Sequence, residues 1–213
     1  MTKIITPTGR ALFPALNPGF PDTTYEPVYQ VLLCGTPEHF GDFIKQIQAL
    51  HEKAIKSEQD ALDKAGKNKK VKVHNLPIVE DIKDKDGNLT GEIALKCKLK
   101  FQKKFRDGKV VEQTLQLYDS KGKPYNGSEE IGNGSKLKIG VYPKAWNSPA
   151  LGVGITLEIG AVFIIDLISK SGRANSAEEW GFEEEEGFTA IPEPVSKASS
   201  ETQEEDSEVN FNF

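Results

Sequence analysis

From Leu95 to Gln102 apolar and polar side chains alternate without a break: Leu95, Cys97, Leu99 and Phe101 take one set of positions, Lys96, Lys98, Lys100 and Gln102 the other. Successive side chains of a strand point to opposite sides of a sheet, so this segment has an apolar face and, behind it, a row of lysines. A period of two fixes a β-strand in the middle of the chain, and the remaining sequence has to supply a sheet around it. Residues 28–34 form a nearly continuous apolar run that reads as a buried first strand. Residues 136–142 read as another. A long strand over 154–169 follows, with Ile155, Leu157, Ile159, Val162, Ile164 and Leu167 as core-side candidates. The turn dipeptide Asp107-Gly108 makes residues 94–105 and 110–118 hairpin partners, and Asp86-Gly87 marks a further turn.

One segment departs from this period. Thr36 suits an N-cap and Pro37 the first helical position, after which Phe40, Phe43, Ile44, Ile47, Leu50, Ala54, Ile55 and Leu62 recur every three or four residues until Gly66. The spacing predicts a helix over 38–65. Ahead of the first strand, Pro7, Pro14, Pro18, Pro21 and Pro27 remove ladder donors and hold the chain extended along the body. About five strands, one inserted helix and long loops predict a mainly β domain, an OB-fold-like five-stranded barrel; a β-sandwich would give similar periodicities. The polar, glycine-rich stretch 119–134 is longer than an ordinary strand connection.

Charge divides the chain more sharply than hydropathy does. Of its 27 Lys and Arg and 32 Asp and Glu, residues 178–213 hold one and twelve, so this segment carries −11 and the remainder about +6. With Ser, Glu, Pro and Gly dominant and little to bury, residues 174–213 are expected to be a disordered acidic tail beside a single domain of 1–173. A cationic body on an anionic arm suits a protein that binds a polyanion and regulates access to it. The chain has no apolar run of membrane-spanning length and its first residues lack a signal segment, which points to the cytosol and away from a membrane.

Signals of catalysis are sparse. His39, His51 and His74 lack the spacing of a metal pair, and Cys34 and Cys97 sit in apolar runs that predict buried thiols. Gly132-Asn133-Gly134-Ser135-Lys136 lacks the spacing of a phosphate loop and leads into a strand, so it reads as a turn. No enzyme activity, cofactor or metal is expected. The positive signal is cations interleaved with aromatics, because single-stranded nucleic acid is held by charges on its phosphates and by ring faces stacked on its bases. Lys96, Lys98, Lys100, Lys103, Arg106, Lys136, Lys138 and Lys144 are the phosphate candidates; Tyr118, Tyr125, Tyr142 and Trp146 are the base candidates. Taken alone, a lysine row on a strand is more often a solvated outer face or a guarded edge, and the aromatics could be core.

The run Ile131-Gly132-Asn133-Gly134-Ser135-Lys136, followed by a Lys-rich strand to Tyr142-Pro143, and the acidic tail ending in Phe213 resemble single-stranded DNA-binding proteins of tailed bacteriophages. The likeness is to the type found in phages of enterobacteria, and it covers about residues 24–169 and the tail. Bacterial single-stranded DNA-binding proteins end in Pro-Phe; here the last residues are Asn-Phe-Asn-Phe, with the acids set back to Glu208. The resemblance implies an OB-fold core that coats exposed single strands during phage replication and recombination in the cytoplasm of the infected bacterial host. It also implies a tail that competes with DNA for the basic groove and recruits a polymerase or helicase. Glu204, Glu205, Asp206, Glu208, Phe211 and Phe213 are its docking candidates, and the sequence allows a homo-oligomer. Two other classes remain open at this point: a phage structural protein, and a DNA-mimic protein acting through the tail alone.

Overall fold

The alternating segment lies in a sheet that closes on itself. In the structure, a computed structural model, residues 2–18, 21–24, 26–84, 86–105, 107–126 and 129–170 are described. They form ten strands, β1 (Ile4–Ile5), β2 (Gly9–Ala15), β3 (Val28–Gly35), β4 (Ile78–Val79), β5 (Ile93–Lys100), β6 (Gln102–Lys104), β7 (Val110–Glu112), β8 (Leu117–Tyr118), β9 (Lys136–Ser148) and β10 (Gly152–Asp166), and one helix, α1 (Pro37–Lys64). Strand β2 pairs with β3, β3 with β5, β5 with β10, β10 with β9, and β9 with β2 again. Taken in chain order, the ring runs first, second, third, fifth, fourth, and all its pairings are antiparallel except that of β5 with β10. This is the closed order of an OB-type barrel, which leaves its ring strands without long free edges.

The period of two sorts the side chains as the sequence requires. Tyr29, Val31 and Leu33 from β3, Leu95, Cys97 and Leu99 from β5, Leu137, Ile139 and Val141 from β9 and Ile155, Leu157 and Ile159 from β10 are buried in one cluster inside the ring. Lys96, Lys98 and Lys100 stand outside. Helix α1 joins β3 to the segment leading to β5 and packs on β9 and β10 through Phe40, Phe43 and Ile47. Thr36 caps it by accepting a 3.3 Å hydrogen bond from the His39 N–H, and Pro37 occupies its first turn. Buried His51 donates from Nε2 to the Val153 carbonyl at 3.0 Å, tying the helix to the start of β10. The thiols of Cys34 and Cys97 are buried and free, and burial pushes them up to about 11 and about 12.

Four expectations need correction. The proline-rich opening is no mere extended cover, since β1 and the ring strand β2 lie within it and Pro14 is accommodated where β2 bulges. Residues 94–105 and 110–118 are not hairpin partners along their length: β5 is occupied by β3 and β10, only the β6–β7 tips pair, and β8 runs parallel to β10. Asp107-Gly108 still makes the turn, with Gly108 at φ 85. Strand β9 does not stop at Tyr142 but continues through Pro143-Lys144-Ala145-Trp146 to Ser148. Finally, β10 begins two residues earlier than the pattern suggests and ends at Asp166, because Ile168 turns away to bond the loop at Gly132.

Candidate nucleic-acid interface

The outer face of β3, β5, β10 and β9 gathers most of the sequence candidates. On β5 the lysine row repeats every second residue, a spacing of about 7 Å, opposite Leu32, Gln30 and Val28 of β3. Across the parallel pairing, Lys98 stands beside Glu158 of β10. Beyond it the outward residues of β9 are Tyr142, Lys144 and Trp146, opposite Glu158, Thr156 and Gly154. Glycines of β10 decide how the two rings lie. A Cβ at Gly154 would collide with Cζ2 of Trp146, and one at Gly160 would come 2.6 Å from Cε2 of Tyr142. Both rings are therefore laid across the sheet, one face down on backbone. Ring over glycine is a cross-strand arrangement that fixes an aromatic without enclosing it. His74 packs edge-on against Trp146, with ring centroids 5.0 Å apart.

Two clefts open on this surface. One of about 470 Å³ lies between the face and the β6–β7 hairpin; Lys100, Lys103, Lys104 and Lys144 line it together with Glu26 and Glu158. The other, about 220 Å³, is lined by Lys96, Lys98, Trp146 and Thr156 and by residues 74–79. The two carboxylates are held by lysines: Lys100 Nζ is 2.7 Å from Glu26, and Lys144 bonds Glu158. Hydrogen bonding and attraction from Lys100 pull Glu26 below its ordinary pKa. Lys98 is pushed below 10.5, first by burial and then by Lys96 and Lys100 on either side, against the pull of Glu26. Partly exposed ion pairs contribute little, so an incoming polyanion can take these lysines from their carboxylates at small cost.

The remaining candidates lie elsewhere. Lys136 and Lys138 continue the outward row to the far end of β9, where Lys136 approaches Asp166 at 3.6 Å and Lys138 faces Phe163. Tyr118 stacks on Phe163 there, with centroids 5.3 Å apart. Tyr125 does not join either group. Its ring packs against the core and its hydroxyl both donates to the Glu129 carbonyl and accepts from the Glu129 N–H. Arg106 and the tail candidates Glu204, Glu205, Asp206, Glu208, Phe211 and Phe213 lie outside the described residues. The face also uses residues that lysine and aromatic patterns do not reveal: Glu26, Glu158, His74 and the two glycines. Only the glycines left a trace, as breaks in an otherwise β-branched strand.

Other chemistry finds little support in the geometry. Gly132 to Ser135 is a turn, with Gly134 at φ 93, and the Ser135 hydroxyl is buried and donates to the Gly132 carbonyl. His39, His51 and His74 each bond a backbone carbonyl. Among the described residues no helix is long and apolar enough to cross a membrane.

Residues 27–167 match the family described as single-stranded DNA-binding protein, bacteriophage T7. The chain belongs to that family. It is a family of binding proteins and not of enzymes, in accord with the sparse catalytic signals. The chain is 34% identical over 127 residues to the single-stranded DNA-binding protein of Enterobacteria phage T3, covering 58% of this chain and 53% of the relative. It is 34% identical over 109 residues to that of Escherichia phage T7, covering 49% and 44%. The match thus spans about half the length of these curated relatives. In fold the chain is similar to gp2.5, the single-stranded DNA-binding protein encoded by bacteriophage T7, with a TM-score of 0.66 at 20% identity over 83% of this chain and 98% of that one. The C-terminally truncated single-stranded DNA-binding protein of bacteriophage Enc34 is more distant, at a TM-score of 0.52, 16% identity and coverage of 78% and 87%.

Proposed function

We propose that this protein coats single-stranded DNA without strong sequence preference, through the outer face of β3, β5, β10 and β9. The observation that carries the reading is the juxtaposition on one face of the β5 lysine row with Trp146 and Tyr142, laid flat over Gly154 and Gly160. The lysines meet phosphates and the ring faces meet bases, each stack contributing roughly 1–3 kcal/mol whatever the base. Lys96, Lys98, Lys100, Lys103 and Lys144 are the phosphate contacts of this face. Lys136, Lys138 and Tyr118 extend it along β9 for a longer strand. Family membership supports the choice of ligand.

Residues 174–213 act in this reading as a competitor. Their charge is opposite to that of the body, so the acidic arm occupies the lysine clefts until DNA displaces it, freeing Phe211 and Phe213 to anchor a replication protein. The deciding experiment is fluorescence anisotropy of labelled oligo-dT with the full chain, in competition with single- and double-stranded DNA. Salt-sensitive, single-strand-selective binding that K98E and K144E each weaken at least tenfold is the expected result. Binding that neither substitution changes would remove this face from the mechanism.

A further inference from the structure

Phe13 stands out on the sheet for reasons of its own. In the pairing of β2 with β3, Leu12 is opposite Leu32 and Ala15 opposite Gln30, so Phe13 and Pro14 form a bulge. Phe13 has φ 47 and is the one non-glycine residue at positive φ among the described residues. A bulky side chain there is strained, and such strain persists only where the surroundings enforce it. The enforcement is visible: the Phe13 N–H donates to Asn133 Oδ1 at 2.6 Å, from the loop before β9. The outcome is a ring 71% exposed, more than any other large apolar side chain among the described residues. Strain held by a specific bond, ending in an uncovered aromatic, has no explanation in packing.

Its neighbours show what it faces. Phe13 lines a groove of about 310 Å³ with Gln30, Leu32 and Lys96. Lys96 also lines the cleft beside Trp146, so the groove continues the proposed path across β3 to the barrel strand β2. An apolar ring, a cation and an amide on one groove are the components that hold an unpaired nucleotide: a face for the base, a charge for the phosphate, a polar group for the base edge.

We infer that Phe13 is a base-stacking platform, held outward by the strained β2 bulge, that carries the nucleic-acid path from the β5 lysines to β2. The inference rests on the reading of the outer face as the DNA site. It is a property of this chain's own bulge, and the ligand class is an unpaired nucleobase of any identity, adjacent to a phosphate on Lys96.

The experiment compares F13A, F13G, F13W and K98E in the full chain by oligo-dT anisotropy, thermal unfolding and sedimentation. F13A and F13G are expected to bind about tenfold more weakly, the effect of losing one stack, and F13W to restore binding. Because glycine relieves a positive φ, F13G should unfold no earlier than the parent while binding worse, an outcome that a merely structural Phe13 would not give. Binding by F13A and F13G equal to the parent, with K98E weakened, overturns the inference and leaves the outer face intact as the site. If K98E also binds as the parent, the face itself falls. A lowered assembly mass in F13A with unchanged DNA binding would overturn the inference too, by assigning the ring to self-association.

Discussion

Lys98 is held at the centre of the face in an environment that resists its charge. Burial and the two flanking lysines lower its pKa from 10.5, with Glu26 acting in the opposite direction. The sign for binding follows. A phosphate stabilises the ammonium, so DNA raises the pKa of Lys98 and binding takes up a proton once the free side chain has begun to lose its own. Affinity is full below the lowered pKa and declines as pH rises through it. In K98R the charge persists, because guanidinium does not deprotonate in this range. Anisotropy with oligo-dA, whose bases do not lose protons at alkaline pH, should therefore show binding that begins to weaken at a lower pH for the parent than for K98R. Equal profiles would mean that Lys98 does not contact DNA.

At the scale of elements, the β6–β7 hairpin is the part that can be removed without opening the barrel. It forms a separate two-stranded sheet whose paired residues are all exposed. It is joined to the body at its base, where the Gln113 N–H donates to the Phe101 carbonyl and Gln113 Nε2 to that of Lys100. Two strands alone have little stability, so this one is kept as a wall of the larger cleft, with Lys103 lying 5.1 Å above the Phe105 ring. Replacing residues 103–110 by a short glycine turn should leave the unfolding temperature within a few degrees of the parent. The same change should weaken oligo-dT binding about fivefold, roughly 1 kcal/mol; unchanged binding would make the hairpin ornamental to the site. The hairpin also marks how far sequence alone reaches. Alternation in Leu95 to Lys100 and the Thr36-Pro37 start of α1 are local signals: α1 is found within a residue of its expected bounds, and β5 starts one residue before the expected 94 but ends at Lys100, short of the expected 105. Pairing is not local: nothing in residues 94–118 says that β5 is already occupied on both sides by β3 and β10, so the long hairpin of the sequence reading has no room to form. Strand β2 was hidden for a related reason. Pro14 argues against a ladder strand, and only the bulge reconciles it with one. The candidate face shows the same division, since the lysine row is legible as one face of a strand, whereas Phe13, Glu26 and Glu158 come beside those lysines through tertiary neighbours.

For the whole molecule, the question is whether the −11 segment and the cationic body compete for one ligand site, and salt separates the possibilities. Five lysine contacts from Lys96, Lys98, Lys100, Lys103 and Lys144 imply a slope of log affinity against log salt of about −3.5 for single strands. If the acidic segment occupies the same lysines, the measured affinity is that of the body divided by the strength of the internal contact. A tether makes that contact effectively millimolar or stronger, about 1 mM for a short flexible connection. Salt weakens the internal contact as it weakens DNA binding, so in the full chain the two effects partly cancel and the slope is shallower. A chain ending at Ser176 should bind oligo-dT about tenfold more tightly at 50 mM salt, with the steeper slope, and the two lines should converge as salt screens the tail. Parallel lines displaced by a constant factor would mean that the tail acts through conformation or assembly and not by occupying the groove. Coincident lines would make it a docking segment alone. Because charge reversal on the body removes the site for both competitors, K98E should also narrow the gap between full and truncated chains. That coupling distinguishes an internal rival for the lysines from a tail that merely repels DNA at a distance.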